Sequence, residues 1–255
     1  MDKTKIEWCD STWNPVTGCL HNCEYCYARN IANRFSYTKD WAAYPANLVL
    51  DEPIRDALTK KVCAYPHGFA PTFHRYRLDQ PKKWKEPRNI FVCSMADLFG
   101  KWVPDEWIEE VYDACEAAPQ HNYIFLTKNV DRYTDKEHGV PIAENMWYGI
   151  SITGEAEVSQ FNRLPAGCNT FVSIEPLLED LDVAKHDILF KQVDWVIIGA
   201  ETGGRKNKVV PLPEWINAIV DGYNAAKTPV FMKDSLIPII GEENMRRELP
   251  RGLMR

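Results

Sequence analysis

From Ile90 onward the chain repeats one pattern, and that pattern limits what it can fold into. Short apolar, β-branched or aromatic runs begin near Ile90 (IFVCSMADLF), Tyr123 (YIFLTKN), Trp147 (WYGISITGE), Thr170 (TFVSIEP), Trp195 (WVIIGAETGG) and Val230 (VFMKDS). Each interval leaves room for a strand, a crossover helix and two short loops. The runs are nearly continuous rather than alternating, as in parallel strands covered on both faces. The pattern predicts an α/β fold built on a parallel (βα) barrel, TIM-like, partial or full, with six to eight strands. Two weaker strand candidates, Thr12–Thr17 (TWNPVT) and Pro71–Tyr76 (PTFHRY), bring the number to eight.

The segments between the runs support this reading. Pro104 with Asp105 and Glu106 opens a helix, because a first-turn proline loses no hydrogen bond and acids suit the helix dipole. Trp107, Ile108, Val111, Tyr112 and Cys115 then recur at helical spacing, and after Pro213 so do Ile216, Ile219, Val220 and Tyr223. Ala28, Ile31, Ala32 and Phe35 form a shorter apolar stripe. Residues 36–68 break the rhythm with a Tyr/Pro-rich loop and an expected helix from Asp51 to about Val62. No linker composition sets them apart, so residues 1–255 are expected to form one barrel domain. The 36–68 stretch would then cap the barrel, and the polar tail at 241–255 would be peripheral.

With 45% hydrophobic and 26% charged residues, the 255-residue chain is neither disordered nor low-complexity. Thirty Lys+Arg against 36 Asp+Glu give a net charge of −6, so no global field draws it to nucleic acid or anionic lipid. No apolar run approaches the roughly 20 residues that span a bilayer. The start MDKTKIEWCD has no apolar core of a secretory signal. The expectation is a cytoplasmic protein with no membrane partner, its eight cysteines kept reduced.

Three of those cysteines stand together in GCLHNCEYCYA, as Cys19, Cys23 and Cys26. Three thiolates on one loop can each bind a different iron of a [4Fe–4S] cube, which normally takes four cysteines. An iron left open is then available to a ligand. The alternative is a zinc knuckle completed by Cys9 or His21, in a nucleic-acid-binding protein without catalysis. Zinc sites usually pair two cysteine hooks, and no second hook follows here. Cys9, Cys63, Cys93, Cys115 and Cys168 read as fillers of small apolar spaces.

The C-x3-C-x2-C spacing, with an aromatic residue before the third cysteine, resembles the signature of the radical S-adenosylmethionine superfamily. More narrowly, TWNPVTGC, CYA, RLDQPKKWKEPRNIFVCSMADLF, FLTK, SIEPLL and IIGAETG look like a family of phage and bacterial radical-SAM-like proteins. The resemblance implies that Cys19, Cys23 and Cys26 ligate a [4Fe–4S] cluster whose open iron chelates S-adenosylmethionine. It also implies an external flavodoxin- or ferredoxin-like electron donor, and reductive cleavage to a 5′-deoxyadenosyl radical that takes hydrogen from a substrate. A cluster that only senses redox state is the non-catalytic variant of that reading.

The superfamily also implies that Tyr25 packs on the adenine and that Ser94 and Asp97 meet the methionine ammonium, although the usual Gly-Gly-Glu stretch is missing there. Strand ends supply further polar groups at the reactive face of such a barrel. Lys128 is expected at the methionine carboxylate, Ser151 and Glu175 at the ribose, and Glu201, in the glycine-rich GAETGG, at the cofactor. Expected substrate-binding residues are His74, Arg77 and Lys233. Arg75, Lys82, Lys83, Lys85 and Arg88, interleaved with Tyr76 and Trp84, could hold phosphate and stack a nucleotide or nucleic-acid base. They could equally be a solvated basic surface, as could Arg205, Lys206 and Lys208.

Overall fold

The computed structural model describes residues 4–36, 48–135, 139–183, 185–186 and 193–254. Seven parallel strands form a curled half-barrel sheet, an α/β partial TIM-like barrel. Its members are β1 (Ser11–Trp13), β5 (Asn89–Val92), β6 (Asn122–Thr127), β7 (Met146–Ile152), β8 (Asn169–Ile174), β9 (Trp195–Ile198) and β10 (Val230–Met232), ordered β1-β5-β6-β7-β8-β9-β10. A second sheet has the order β2-β4-β3, from β2 (Val16–Thr17), β3 (Leu48–Leu50) and β4 (Thr72–His74). The chain divides into two compact units, Met1–Lys5 with Cys9–Tyr123, and Ile6–Trp8 with Ile124–Arg255.

In the first unit, β1 runs parallel to β5 with Trp13 opposite Val92. TWNPVT is not one strand. It breaks at Asn14-Pro15, because proline has no N–H to give a ladder, and Val16–Thr17 turn away to pair antiparallel with β4. PTFHRY likewise supplies β4 of the small sheet rather than a barrel strand, and ends in a 3₁₀ turn at Arg75–Arg77. Helix α1 (Tyr27–Phe35) buries Ala28 and Ala32, while Ile31 and Phe35 of the expected stripe remain exposed. Helix α2 (Asp105–Glu116) buries Trp107, Ile108, Val111, Tyr112 and Cys115, the face read from spacing. Trp107 stacks on Phe73 with ring centroids 5.2 Å apart.

The helix expected at Asp51–Val62 does not form. That stretch is a turn closed by an antiparallel bridge between Arg55 and Val62. Asp56 Oδ1 accepts the N–H groups of Leu58 (3.1 Å) and Thr59 (2.6 Å), offering the backbone a local alternative to helix. Lys60 then takes a left-handed φ of 59°. Of the excursion, residues 48–68 are knitted to the chain through β3 on β4, and residues 37–47 lie outside those described.

In the second unit the register aligns Ile152, Ile174, Ile198 and Met232 across β7 to β10. Every residue of β7 and β9 is buried. Helix α3 (Pro213–Ala226) buries Ile216, Ile219, Val220 and Tyr223, again as its spacing predicts. Other crossovers use 3₁₀ segments instead, at Val130–Tyr133 and Glu155–Arg163. The tail is not peripheral. Met232 N–H donates to Arg246 O (2.8 Å) and Glu248 N–H to Val230 O (3.0 Å), so the tail covers the edge of β10. The Trp195 indole donates to Glu248 O at 3.0 Å, and Leu253 is buried. Among the described residues no helix is long and apolar enough to cross a membrane.

Candidate active site

The three cysteines occupy one loop, anchored at the carboxyl end of β5. Gly18 begins it at φ +88°, bridging in parallel to Ala96 and donating N–H to Met95 O at 2.9 Å. A Cβ there would lie 2.3 Å from Ala70 O, so only glycine fits. Cys19 N–H donates to Phe69 O at 3.3 Å. Cys26 caps α1, its Sγ accepting Arg29 N–H at 3.4 Å. Cys19 and Cys26 pack against Ala28, Ala32, Phe69 and Met95. All three thiols are half-buried, and none of the eight cysteines is in a disulfide.

The strand ends hold this loop through residues that spacing did not single out. Asn14 Oδ1 accepts Met95 N–H (2.9 Å) and Ser94 Oγ–H (3.2 Å). The Trp13 indole donates to Arg77 O at 2.9 Å, and His74 N–H to Pro15 O at 2.7 Å. These contacts explain the TWNP string as a clamp. Tyr27 O–H donates to Ser94 O at 2.8 Å, tying the start of α1 to the same loop. The indication in the sequence was the unbroken TWNP and CYA strings, whose non-cysteine residues had no assigned work.

Asp97 is buried with both oxygens engaged, Oδ1 by Phe99 N–H (3.0 Å) and Oδ2 by His21 Nε2 (2.7 Å). The expected ammonium partner therefore fastens the cysteine loop through His21, whose ring also meets Trp102 edge-on at 4.9 Å. Tyr25 lies within the loop and is half-buried, as is Ser94, whose hydroxyl donates to Asn14 Oδ1.

The donor set suits an iron–sulfur cube with one open corner. Three thiols share a loop of eight residues, and the one histidine within it is committed through Nε2 to a carboxylate. Among the described residues, no three Cys, His, Asp or Glu side chains are gathered closely enough to hold a single metal ion. Burial pushes the Cys19 thiol up to about 12, and the charges of Asp97, Cys26 and Cys23 add to the rise. A bound metal ion reverses that preference and deprotonates the thiol.

Two expected substrate residues belong to the fold instead. His74 is fully buried, with Nε2 2.8 Å from Thr17 Oγ1, and burial lowers its pKa to about 2. Arg77 spends its guanidinium on Asn14 O (2.9 Å) and Ala64 O (3.1 Å). Of the basic-aromatic set, the two arginines are engaged within the fold, while Lys82, Lys83 and Lys85 are exposed. Arg88 lies over buried Trp84 at 4.7 Å, and Arg75 pairs with Glu110 and Asp51. Base stacking on Trp84 is excluded by its burial.

In the second unit, Glu175, Gly199 and Lys233 directly follow the aligned Ile174, Ile198 and Met232. Lys233 Nζ donates to Glu175 Oε1 at 2.5 Å. Gly199 lies between them, and a Cβ there would meet Glu175 Cγ at 3.1 Å and Lys233 Cδ at 3.2 Å. The absent side chain lets this pair close over β9. Ser151 is buried within β7, and Lys128 is half-buried one residue beyond β6. Glu201 is buried and grips Arg205 with both oxygens, Nε at 2.6 Å and Nη2 at 2.7 Å. The Arg205 guanidinium lowers the Glu201 pKa. That carboxylate is thus committed within its own loop.

A parallel half-barrel with a three-cysteine loop at a strand end defines an α/β barrel protein of the kind enzymes build on. The chain belongs to the family described as "Protein of unknown function (DUF5131)", whose profile matches residues 3–237. Its fold is similar to that of spore photoproduct lyase. A cysteine-to-serine mutant of that protein superposes with a TM-score of 0.52 at 12% identity, covering 91% of this chain and 78% of that one. A tyrosine-to-phenylalanine mutant gives a TM-score of 0.47 at 10% identity, over 85% and 74%. A double mutant with bound AdoMet and dinucleoside spore photoproduct gives 0.43 at 12%, over 84% and 60%. The sequence matches no curated protein.

Proposed function

We propose that this chain is a radical S-adenosylmethionine enzyme acting on a nucleotide or nucleic-acid base. In this reading Cys19, Cys23 and Cys26 hold a [4Fe–4S] cluster, and a flavodoxin- or ferredoxin-like protein of the cytoplasm supplies the electron. The supporting observation is the C-x3-C-x2-C loop pinned through Gly18, Met95 and Asn14 to the carboxyl end of β5. That is the end at which parallel barrels carry their chemistry.

When bound, the cluster supplies one electron to the sulfonium of S-adenosylmethionine, releasing methionine and a 5′-deoxyadenosyl radical. The chain's own residues do the holding. Gly18 and Asn14 set the loop's path, the Asp97–His21 pair fastens its middle, and Cys26 fixes the start of α1. Tyr25 offers an aromatic face beside the thiols for adenine. In the second unit, Ser151 and Glu175 are assigned to ribose hydroxyls, Lys128 to the methionine carboxylate and Lys233 to the substrate side of Glu175. His74, Arg77 and Glu201 are assigned to the fold and to loop structure.

Anaerobic reconstitution with iron and sulfide, followed by reduction in the presence of S-adenosylmethionine, tests the reading. The expected result is a brown protein with about four irons per chain that forms 5′-deoxyadenosine. A colourless protein holding one zinc would refute it.

A further inference from the structure

The segment following β9 has the build of an anion clasp. It leaves the sheet at Gly199, where Ala200 N–H is fastened to Ser235 Oγ at 3.0 Å. Buried Glu201 then closes it into a ring. Its carboxylate takes the Arg205 guanidinium, and Oε2 also accepts Val209 N–H at 3.3 Å, so residues 202–208 stand out from a rigid base. Thr202, Gly203, Gly204, Lys206, Asn207 and Lys208 are all exposed. A Cβ on either glycine would meet nothing within 4 Å. Packing therefore does not require glycine at either position, and only Gly203, at φ +91°, has a conformational reason for it. Gly204 has neither reason, and its bare backbone is open to close approach by a ligand. Lys206 and Lys208 form no ion pair or hydrogen bond among the described residues, and Lys208 adds only a through-space attraction to Glu201. Two cations thus stand in solvent on a chain of net charge −6, at the carboxyl edge of the sheet.

We propose that residues 203–208 form a phosphate clasp for the substrate. The main chain at Gly203-Gly204 closes on the phosphate oxygens, and Lys206 and Lys208 neutralise their charge. The pair of buried Glu201 and half-buried Arg205 is the positioning element that holds the ring open. This deepens the reading of the chain as an enzyme acting on nucleotides or nucleic acid, and rests on it for the word substrate. Phosphate of a free nucleotide and of a polynucleotide share the required chemistry.

The test is titration of the cluster-loaded protein with a fluorescein-labelled single-stranded deoxyoligonucleotide at several salt concentrations, with unlabelled dAMP as competitor. The wild-type chain should bind. The double variant Lys206→Ala/Lys208→Ala should bind at least about tenfold more weakly, and its slope of log affinity against log salt should be shallower by about 1.4, two single-strand phosphate contacts. Gly204→Ala has open space for its methyl in the free protein and should still lose affinity by about tenfold, as the methyl blocks close approach of an anion. All variants should keep wild-type iron content and melting temperature. Displacement by dAMP would assign the clasp to nucleotide phosphate, and failure to displace would assign it to the polynucleotide backbone. No binding by the wild type, or unchanged affinity in either variant, overturns the proposal. The readout needs neither turnover nor 5′-deoxyadenosine, so the clasp and the radical chemistry fail separately.

Discussion

At Gly18 the backbone of the cysteine loop passes against the Ala70 carbonyl in a left-handed conformation. Gly18→Ala combines a steric clash with a left-handed penalty of roughly 1–2 kcal/mol, and should lower stability by at least about 2 kcal/mol in urea unfolding while reducing iron uptake. His74 makes a pH prediction. Its pKa is depressed by burial from the ordinary histidine value of 6.5 to about 2, so the folded state binds fewer protons than the unfolded state between those values. The stability it contributes is complete above about pH 6.5 and declines as pH falls, by about 1.4 kcal/mol per pH unit. Unfolding midpoints followed from pH 7.5 to 5 should show this fall in the wild type and a shallower one in His74→Gln. In the sequence His74 reads as a substrate ligand because it is a polar residue beside arginines. Only its pairing with Thr17, 57 positions away, shows that it is sealed in.

Among the elements, α2 and α3 were legible because their buried faces repeat every three to four residues, and that period is local. The stretch 51–62 misled for an equally local reason, since Asp56 captures two amides that a helix would use. The tail misled for a tertiary one. Its polar letters do not show that its backbone pairs with β10, where an edge strand would otherwise present open N–H and C=O groups. Truncation after Asn244 removes that pairing, the Trp195 partner Glu248 and buried Leu253. It should cost at least about 2 kcal/mol, the low end for losing a buried leucine side chain, and increase aggregation in light scattering.

For the whole molecule, the sheet stands on its own apolar strands, and the three-cysteine loop is an addition to it. Replacing Cys19, Cys23 and Cys26 together by Ala should abolish iron binding while leaving the far-UV circular dichroism and a cooperative unfolding transition in place. Loss of the secondary structure in that variant would make the cluster a folding element instead. In the loaded wild type, melting should shift upward relative to the cluster-free protein, since a group that binds the folded chain stabilises it by mass action.

Spacing along the chain determined the parallel sheet, the two long helices and the three grouped thiols, because strand period, helix period and loop spacing are written in consecutive residues. Tertiary structure decided the rest. It sent Val16–Thr17 and Thr72–His74 into a separate sheet and turned Asp97 toward His21. It also committed Glu201 to Arg205, and closed Glu175 and Lys233 over a glycine. Each of these joins groups through space after the backbone has folded, and whether a polar side chain meets a ligand or a neighbour is settled only by what lies beside it.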